Sequence, residues 1–170
     1  MHHMTRLLLR NCQNCNHNYT TYLYTYSEIA KAEDSVEVAL KAYESAADKS
    51  LQLGLNATMR DRDASLNPVV LLREVSLLSI SMRRYEGAAA AAKRLLELDR
   101  SILAAHEEAV RHTLSTFWNS GTNQFVHQQH SLAMKLCSIA MELLDKLPAA
   151  SKDALKPRMV RYVCLCQCRL

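Results

Sequence analysis

Cysteine and histidine are the residue types that could give this 170-residue chain chemistry, because both bind metals and cysteine also undergoes redox reactions. The six cysteines are Cys12 and Cys15 in a CxxC, Cys164, Cys166 and Cys168 in a CxCxC, and Cys137 alone. A zinc site requires two closely spaced pairs, usually at turns, whereas the second cluster has a spacing of two on a predicted helix. We therefore interpret the cysteines as small buried hydrophobic residues in a reducing compartment. A thiol-based metal or redox module is the alternative.

The segment His106–His112 has two glutamates between its histidines and is similar to a zinc-protease motif. On one helix, however, residues six positions apart are separated by about 240° around the axis, so one metal cannot bind both histidines. His127 and His130 border a predicted turn and are interpreted as water-exposed. The three glycines are isolated, which excludes a phosphate-binding loop. The sequence therefore predicts no catalytic residue, no cofactor and no metal site, and hence a protein that is not an enzyme.

The composition favours helix, because hydrophobic residues make up 49% of the chain and there are only three glycines and three prolines. The β-type alternation of apolar and polar residues is absent, so we expect an all-α fold. No apolar run approaches the roughly 20 residues that a membrane span needs. The net charge of +4 is too small to predict nucleic-acid binding. The first residues lack the apolar core of a secretory signal, which predicts an intracellular protein.

The hydrophobic periodicity divides the chain into a poorly ordered lead-in, residues 1–17, and a helical domain, residues 18–170. Helices are predicted over residues 18–31, 35–54, 68–81, 85–98, 101–126, 131–144 and 158–170. In the first helix, Tyr19, Tyr22, Leu23, Tyr26 and Ile29 share one face. Asn67 followed by Pro68 is a strong helix start, and Asp99 or Ser101 can cap the helix that follows them.

Three segments align with one another at offsets of 49 and 45 residues: SVEVALKAYESAADK, RYEGAAAAAKRLLEL and QHSLAMKLCSIAMEL. Their aligned positions are Ala39, Tyr43 and Ala46 in the first, Ala88, Ala92 and Leu95 in the second, and Ala133, Cys137 and Ala140 in the third. Phe117 and Gly121, one turn apart, precede the third segment. A large and a small residue facing small residues allow two antiparallel helices to approach closely. The pattern predicts about three helical hairpins plus one unpaired helix, with an unrelated alanine-rich antiparallel bundle as the alternative.

The spacing of Phe117, Gly121, Ala133 and Ala140 resembles the tetratricopeptide (TPR) family, whose repeat is about 34 residues long. The region from about residue 100 to residue 170 also resembles the TPR repeats of the meiotic crossover scaffold family, the TPR member of the ZMM group. The matching residues there are Phe117, Trp118, Asn119, Gly121, Ala133, Ala140, Arg158, Arg161, Cys164 and Leu165. Cys137 departs from the bulky aromatic residue that this family has on its return helix.

The resemblance implies a TPR-like α–α superhelix and a non-catalytic scaffold that holds a partner peptide or helix in a concave groove. It also implies a nuclear, chromosome-associated location; without it, a cytoplasmic one is expected. Candidate partner-binding residues are Asn119, Lys156, Arg158 and Arg161, with Lys152 in the same basic end. The final predicted helix has no return helix, so we expect self-association through it or a longer array. The chain could then be a fragment of a longer TPR protein without independent function.

Overall fold

The computed structural model describes residues 16–32, 35–52 and 67–149, together with residues 152, 159–160 and 163. In this part of the chain the protein is all-α, as predicted, with seven helices and no strand. The helices are α1 (Asn16–Ala32), α2 (Val36–Gln52), α3 (Pro68–Ser81), α4 (Tyr85–Leu96), α5 (Arg100–Ala105), α6 (Glu107–Val126) and α7 (His130–Lys146). None of these helices is long and apolar enough to cross a membrane.

The chain divides into two compact units between Asn67 and Pro68. The first unit contains the hairpin of α1 and α2, and the second contains α3 to α7. We call α1, α3 and α6 the first helices, and α2, α4 and α7 the return helices. The predicted lead-in lies outside the described residues except for its last two positions, which begin α1. Of the predicted last helix, only Met159, Val160 and Val163 are described, so self-association through it stays a prediction.

The predicted apolar face of α1 is buried only in part, because Leu23 is buried but two other members of that face are not. Leu23, Ser27 and Ala30 are buried, whereas Tyr26 and Ile29 are 44% and 50% exposed. Since α2 presents a row of buried alanines to this interface, small residues on α1 allow the two backbones to approach, and the larger side chains lie outside. Ser27 can be buried because its Oγ donates a hydrogen bond of 2.6 Å to the carbonyl oxygen of Tyr24.

Tyr43 is the one large side chain among the aligned positions of α2, and it is fully buried. Its ring lies edge-on to the ring of Tyr24, with centroids 6.0 Å apart and planes at 75°. Its hydroxyl donates a hydrogen bond to the carboxylate of Glu28 on α1. The tyrosine therefore joins the two helices of the first hairpin by both apolar contact and a polar bond.

The second unit consists of two hairpins, α3 with α4 and α6 with α7. The first helices α3 and α6 pack against each other, and so do the return helices α4 and α7. Near the starts of the return helices, Lys135 forms an ion pair of 2.5 Å with Glu86. Near the end of α6, Gln124 Nε2 donates a 2.9 Å hydrogen bond to the hydroxyl of Tyr85, just beyond the end of α3. The two hairpins therefore lie side by side and run in the same direction.

The single long helix predicted over residues 101–126 is wrong, because it is broken at His106 into α5 and α6. His106 has φ −120° and ψ 38°, outside the helical region. The segment contains neither proline nor glycine at this point, so no local breaker marked the break. Asp99 occupies the predicted N-cap position of α5, but its side chain makes no capping hydrogen bond.

The three hairpins close with the same backbone hydrogen bond, in which an amide donates to the carbonyl five residues earlier. The bonds are Ser35 to Ala30 at 2.8 Å, Arg84 to Ser79 at 2.7 Å and Gln129 to Gln124 at 2.9 Å. This is the bond that ends a helix in a Schellman motif, which places one residue in the left-handed region. In the second unit those residues are Arg83 and Gln128, with φ of 59° and 62°.

Replacing Gln128 with glycine should stabilise the second unit. Gln128 is exposed and its φ is positive, a conformation that costs an ordinary residue about 1 kcal/mol and glycine almost nothing. The free energy of unfolding in urea should therefore rise by about 1 kcal/mol. His127→Gly is the matched control, because His127 is exposed, has φ −81° and gains no relief, so its variant should lose stability. Equal effects of the two substitutions would contradict this account of the turn.

The interior of each hairpin has the same burial pattern. All nine aligned positions of the return helices are 0% exposed. On the first helices a buried large residue precedes a buried small residue by four positions: Leu23 and Ser27, Leu72 and Ser76, and Phe117 and Gly121. These pairs have the same offsets of 49 and 45 residues as the turns. The three hairpins thus share one packing pattern, with serine in two of them where the third has glycine.

Candidate functional site

An open groove of about 880 Å³ lies between the first helices of the second unit. Its lining residues are Arg73 and Glu74 on α3, and Glu107, Glu108, Arg111, His112 and Ser115 on α6. On α6 the lining residues are the adjacent pairs Glu107–Glu108 and Arg111–His112, followed by Ser115, so they recur at every turn and form one face of the helix. All seven lining residues are charged or polar, unlike the alanine-rich interfaces inside the hairpins.

Glu74 is the most buried of the charged groups in the groove, at 7% exposure. One of its carboxylate oxygens, Oε1, accepts hydrogen bonds from Arg73 Nε at 3.0 Å and from Arg73 Nη2 at 2.6 Å. A buried carboxylate is tolerated only when it is paired and hydrogen-bonded. The adjacent arginine therefore compensates the buried carboxylate of Glu74 and fixes the α3 wall of the groove.

The α6 wall is more loosely held. Arg111 Nη1 lies 3.9 Å from Glu107 Oε1, one turn away, and both side chains are partly exposed. Such a pair contributes well below about 1 kcal/mol, so it can exchange partners at little cost. Glu108 and His112 are exposed beside it. The two glutamates also lie in the first turn of α6, where negative charge complements the helix dipole.

Beyond the groove, the same face of both helices becomes apolar. We define the first-helix face by four positions on each helix: Val70, Arg73, Leu77 and Ile80 on α3, and Ser115, Trp118, Thr122 and Phe125 on α6. Each position on α6 is 45 residues after its counterpart on α3. Seven of the eight residues are half-buried and Ser115 is exposed. This face therefore presents eight side chains, five of them apolar, at positions three and four residues apart on two parallel helices.

The sequence-predicted site residues fall into three groups. The predicted structural positions are Ala39, Ala46, Ala88, Phe117, Gly121, Ala133 and Ala140, which are buried, and Trp118, which is half-buried on the first-helix face. Asn119 is exposed on α6 next to Trp118. Lys156, Arg158 and Arg161 lie outside the described residues. Lys152, from the same basic end, donates a 2.6 Å hydrogen bond to the carbonyl oxygen of Asp145.

Sequence reasoning missed Arg73, Glu74 and Leu77 because apolar residues lie on nearly all sides of α3 and do not mark one exposed face. The available signal was the charged pair itself, which interrupts an otherwise apolar helix. Charged residues are rarely buried without a partner, so such a pair in an apolar helix indicates an edge of the core. In this chain that edge borders the groove.

No group of three or more metal-binding side chains comes together among the described residues. Partial burial removes water from His106 and lowers the pKa of its imidazole below the usual value, which favours the neutral form. His106 lies at the helix break and His112 lines the groove, so the single-helix geometry assumed for them does not apply. Cys137 is buried, and the other cysteines lie outside the described residues.

The predicted exposure of the two turn histidines is correct for His127 and wrong for His130. His127 is exposed, whereas His130 is half-buried and begins α7. The ring of His130 lies edge-on to Phe125, with centroids 5.1 Å apart, and its buried Nδ1 has no hydrogen-bond partner. Packing against Phe125 therefore removes His130 from water.

Comparison of the chain with models of known protein families, with curated proteins and with solved structures finds no match.

Proposed function

We propose that the protein is a non-catalytic, TPR-like scaffold that binds a peptide segment or helix of a partner protein between α3 and α6. The observation that carries the proposal is the first-helix face itself. It combines half-exposed apolar side chains with an open, charged groove on two helices whose positions are fixed by well-packed hairpins. Binding sites held by rigid elements lose little entropy on association.

The repeated hairpin supports the TPR-like part of the proposal. Each of the three turns contains the same type of backbone hydrogen bond, and the aligned small residues are buried in all three hairpins. The repeat offsets of 49 and 45 residues exceed the usual value of about 34, so the connections between hairpins are longer than in that family. In repeat proteins, neighbouring hairpins form an extended surface that binds partners, and the neighbouring first helices α3 and α6 offer such a surface in the second unit.

The chemistry of the face also suits a protein partner. Trp118 is the one tryptophan of the chain, and tryptophan and arginine are the residues that most often dominate binding energy at protein interfaces. Each 100 Å² of apolar surface that a partner covers contributes about 2.5 kcal/mol before the costs of association. The resemblance of the segment Phe117–Asn119 to meiotic scaffolds adds the expectation of a nuclear, chromosome-associated partner.

The proposal is tested by capturing partners with the wild-type chain and with a Trp118→Ala, Leu77→Ser variant, and identifying them by mass spectrometry. Partners of the first-helix face should be lost from the double variant and retained by Ile29→Ala, which removes a 50%-exposed side chain from the first unit. Circular dichroism must show that both variants keep their helicity. Identical partners for all three proteins, or turnover of a substrate that depends on a histidine or cysteine, would contradict the proposal. Stoichiometric zinc that is lost in Cys15→Ser would favour the thiol-based alternative.

A further inference from the structure

We infer that the ligand of the first-helix face is an amphipathic α-helix with basic residues at its polar end, rather than an extended peptide. This inference rests on the proposed function and specifies its ligand. Three observations carry it: the spacing of the apolar side chains, the scarcity of hydrogen-bonding groups along them, and the excess of carboxylates in the groove.

The apolar positions have the spacing that a docked helix needs. On α3, Val70, Leu77 and Ile80 follow one another by seven and three residues, and Trp118 and Phe125 on α6 are also seven residues apart. From Val70 to Ile80 a helix rises about 15 Å, which is about three turns of a helix lying alongside. A ligand of about 12 residues with apolar side chains at positions i, i+3 and i+7 fits this length.

An extended ligand would lack partners for its backbone on this surface. Every peptide unit carries one donor and one acceptor, which must be bonded when water is removed. The apolar part of the face offers chiefly hydrocarbon groups, and its polar side-chain groups are the Thr122 hydroxyl and the indole N–H of Trp118. Thr122 Oγ1 already donates a 2.9 Å hydrogen bond to the carbonyl oxygen of Asn119. A helical ligand satisfies its own backbone, so only its apolar side chains need to be accommodated.

The charge of the groove selects basic residues at one end of the ligand. The lining contains three carboxylates, on Glu74, Glu107 and Glu108, and two guanidinium groups, on Arg73 and Arg111. The groove is therefore locally negative on a chain whose formal net charge is +4. Because Glu107 and Glu108 lie at the start of α6, a lysine or arginine at the adjacent end of the ligand would be attracted there.

The test uses Trp118 fluorescence, since no other tryptophan contributes to the signal. Three synthetic peptides of about 12 residues are titrated into the full chain. The first has leucine at positions i, i+3, i+7 and i+10, lysine at both ends and alanine elsewhere. The second replaces its lysines with glutamate, and the third carries two central prolines that prevent helix formation. We expect the first to bind about tenfold more tightly than either of the others.

A charge-reversal variant supplies the matched control. Glu108→Lys should weaken binding of the lysine peptide at least threefold and strengthen binding of the glutamate peptide, whereas Ile29→Ala should change neither. Equal binding of the proline and helical peptides would refute a helical ligand, and equal binding of the lysine and glutamate peptides would refute charge selection. If no peptide alters Trp118 fluorescence, the inference is wrong in both parts. The proposed function would still be decided separately, by the partner-capture experiment that compares the wild-type chain with the Trp118→Ala, Leu77→Ser variant.

Discussion

Replacing Gly121 with alanine should destabilise the second unit by about 3 kcal/mol, the upper end of the usual cost of overpacking. A Cβ atom at Gly121 would lie 2.6 Å from Cys137 Sγ and 3.2 Å from two backbone atoms, the carbonyl oxygen of Ala133 and the amide nitrogen of Cys137. The sulfur belongs to a fully buried side chain, and the backbone atoms belong to α7, so the helices would have to separate. Urea unfolding monitored by Trp118 fluorescence measures the change.

Gly87→Ala is the matched control for this substitution. Gly87 lies in α4, and its added Cβ would meet only the Ser79 side chain, at 3.6 and 4.0 Å, which is ordinary contact. Alanine is favoured over glycine in a helix by about 1 kcal/mol, so this variant should be more stable than the wild type. Adding Cys137→Ala to Gly121→Ala should recover part of the loss, because the closest contact disappears while the two backbone contacts remain. A Gly121→Ala variant as stable as the wild type would show that α6 and α7 are not in close contact here.

Replacing Tyr43 with alanine should lower the stability of the first hairpin by about 3–5 kcal/mol, the usual cost of removing a fully buried aromatic side chain. The substitution removes the ring that packs against Tyr24 and the hydroxyl that binds Glu28. Alanines that already line α2 cannot fill the space that remains. Hydrogen–deuterium exchange, followed by mass spectrometry, should show faster exchange throughout α1 and α2.

Two further tyrosine variants separate packing from hydrogen bonding. Tyr43→Phe keeps the ring and loses only the bond to Glu28, so the expected cost is about 1 kcal/mol. Tyr26→Ala removes a side chain that is 44% exposed, and its effect should stay within about 0.5 kcal/mol. If Tyr26→Ala were as destabilising as Tyr43→Ala, Tyr26 would have to belong to the buried face of α1, as the aromatic spacing predicted.

The features that the sequence predicted correctly are governed by local chemistry. The helix starting at Pro68 was predicted because proline loses no hydrogen bond at the first helical position, and α3 begins there. The two turns of the second unit were found where the apolar pattern stops, and both contain a residue in the left-handed region. The small residues Ala133 and Ala140 were expected at a close helix contact and are fully buried.

The features that the sequence did not predict depend on tertiary packing. The buried face of α1 is chosen by the alanines of α2, which favour Ser27 and Ala30 over the larger Tyr26 and Ile29. The break at His106 has no proline or glycine to mark it, so the helical periodicity continued through it. The groove depends on which parts of α3 and α6 face each other, and periodicity within one helix contains no information about its neighbour.

The close contact between Gly121 and Cys137 has a consequence for how this chain can vary. With 2.6 Å between the sulfur and a Cβ on the glycine, the residue at position 121 can become larger only if the residue at position 137 becomes smaller. The matching pairs in the other hairpins are Ser27 with Tyr43 and Ser76 with Ala92. Their residues have the same separation in sequence as Gly121 and Cys137, but their side chains differ in size. Substitutions at such positions should show strong pairwise epistasis, with coupling energies of about 0.5–3 kcal/mol. In related chains, the two residues of such a pair should then change together within one hairpin, while the matching pairs in the other hairpins stay the same.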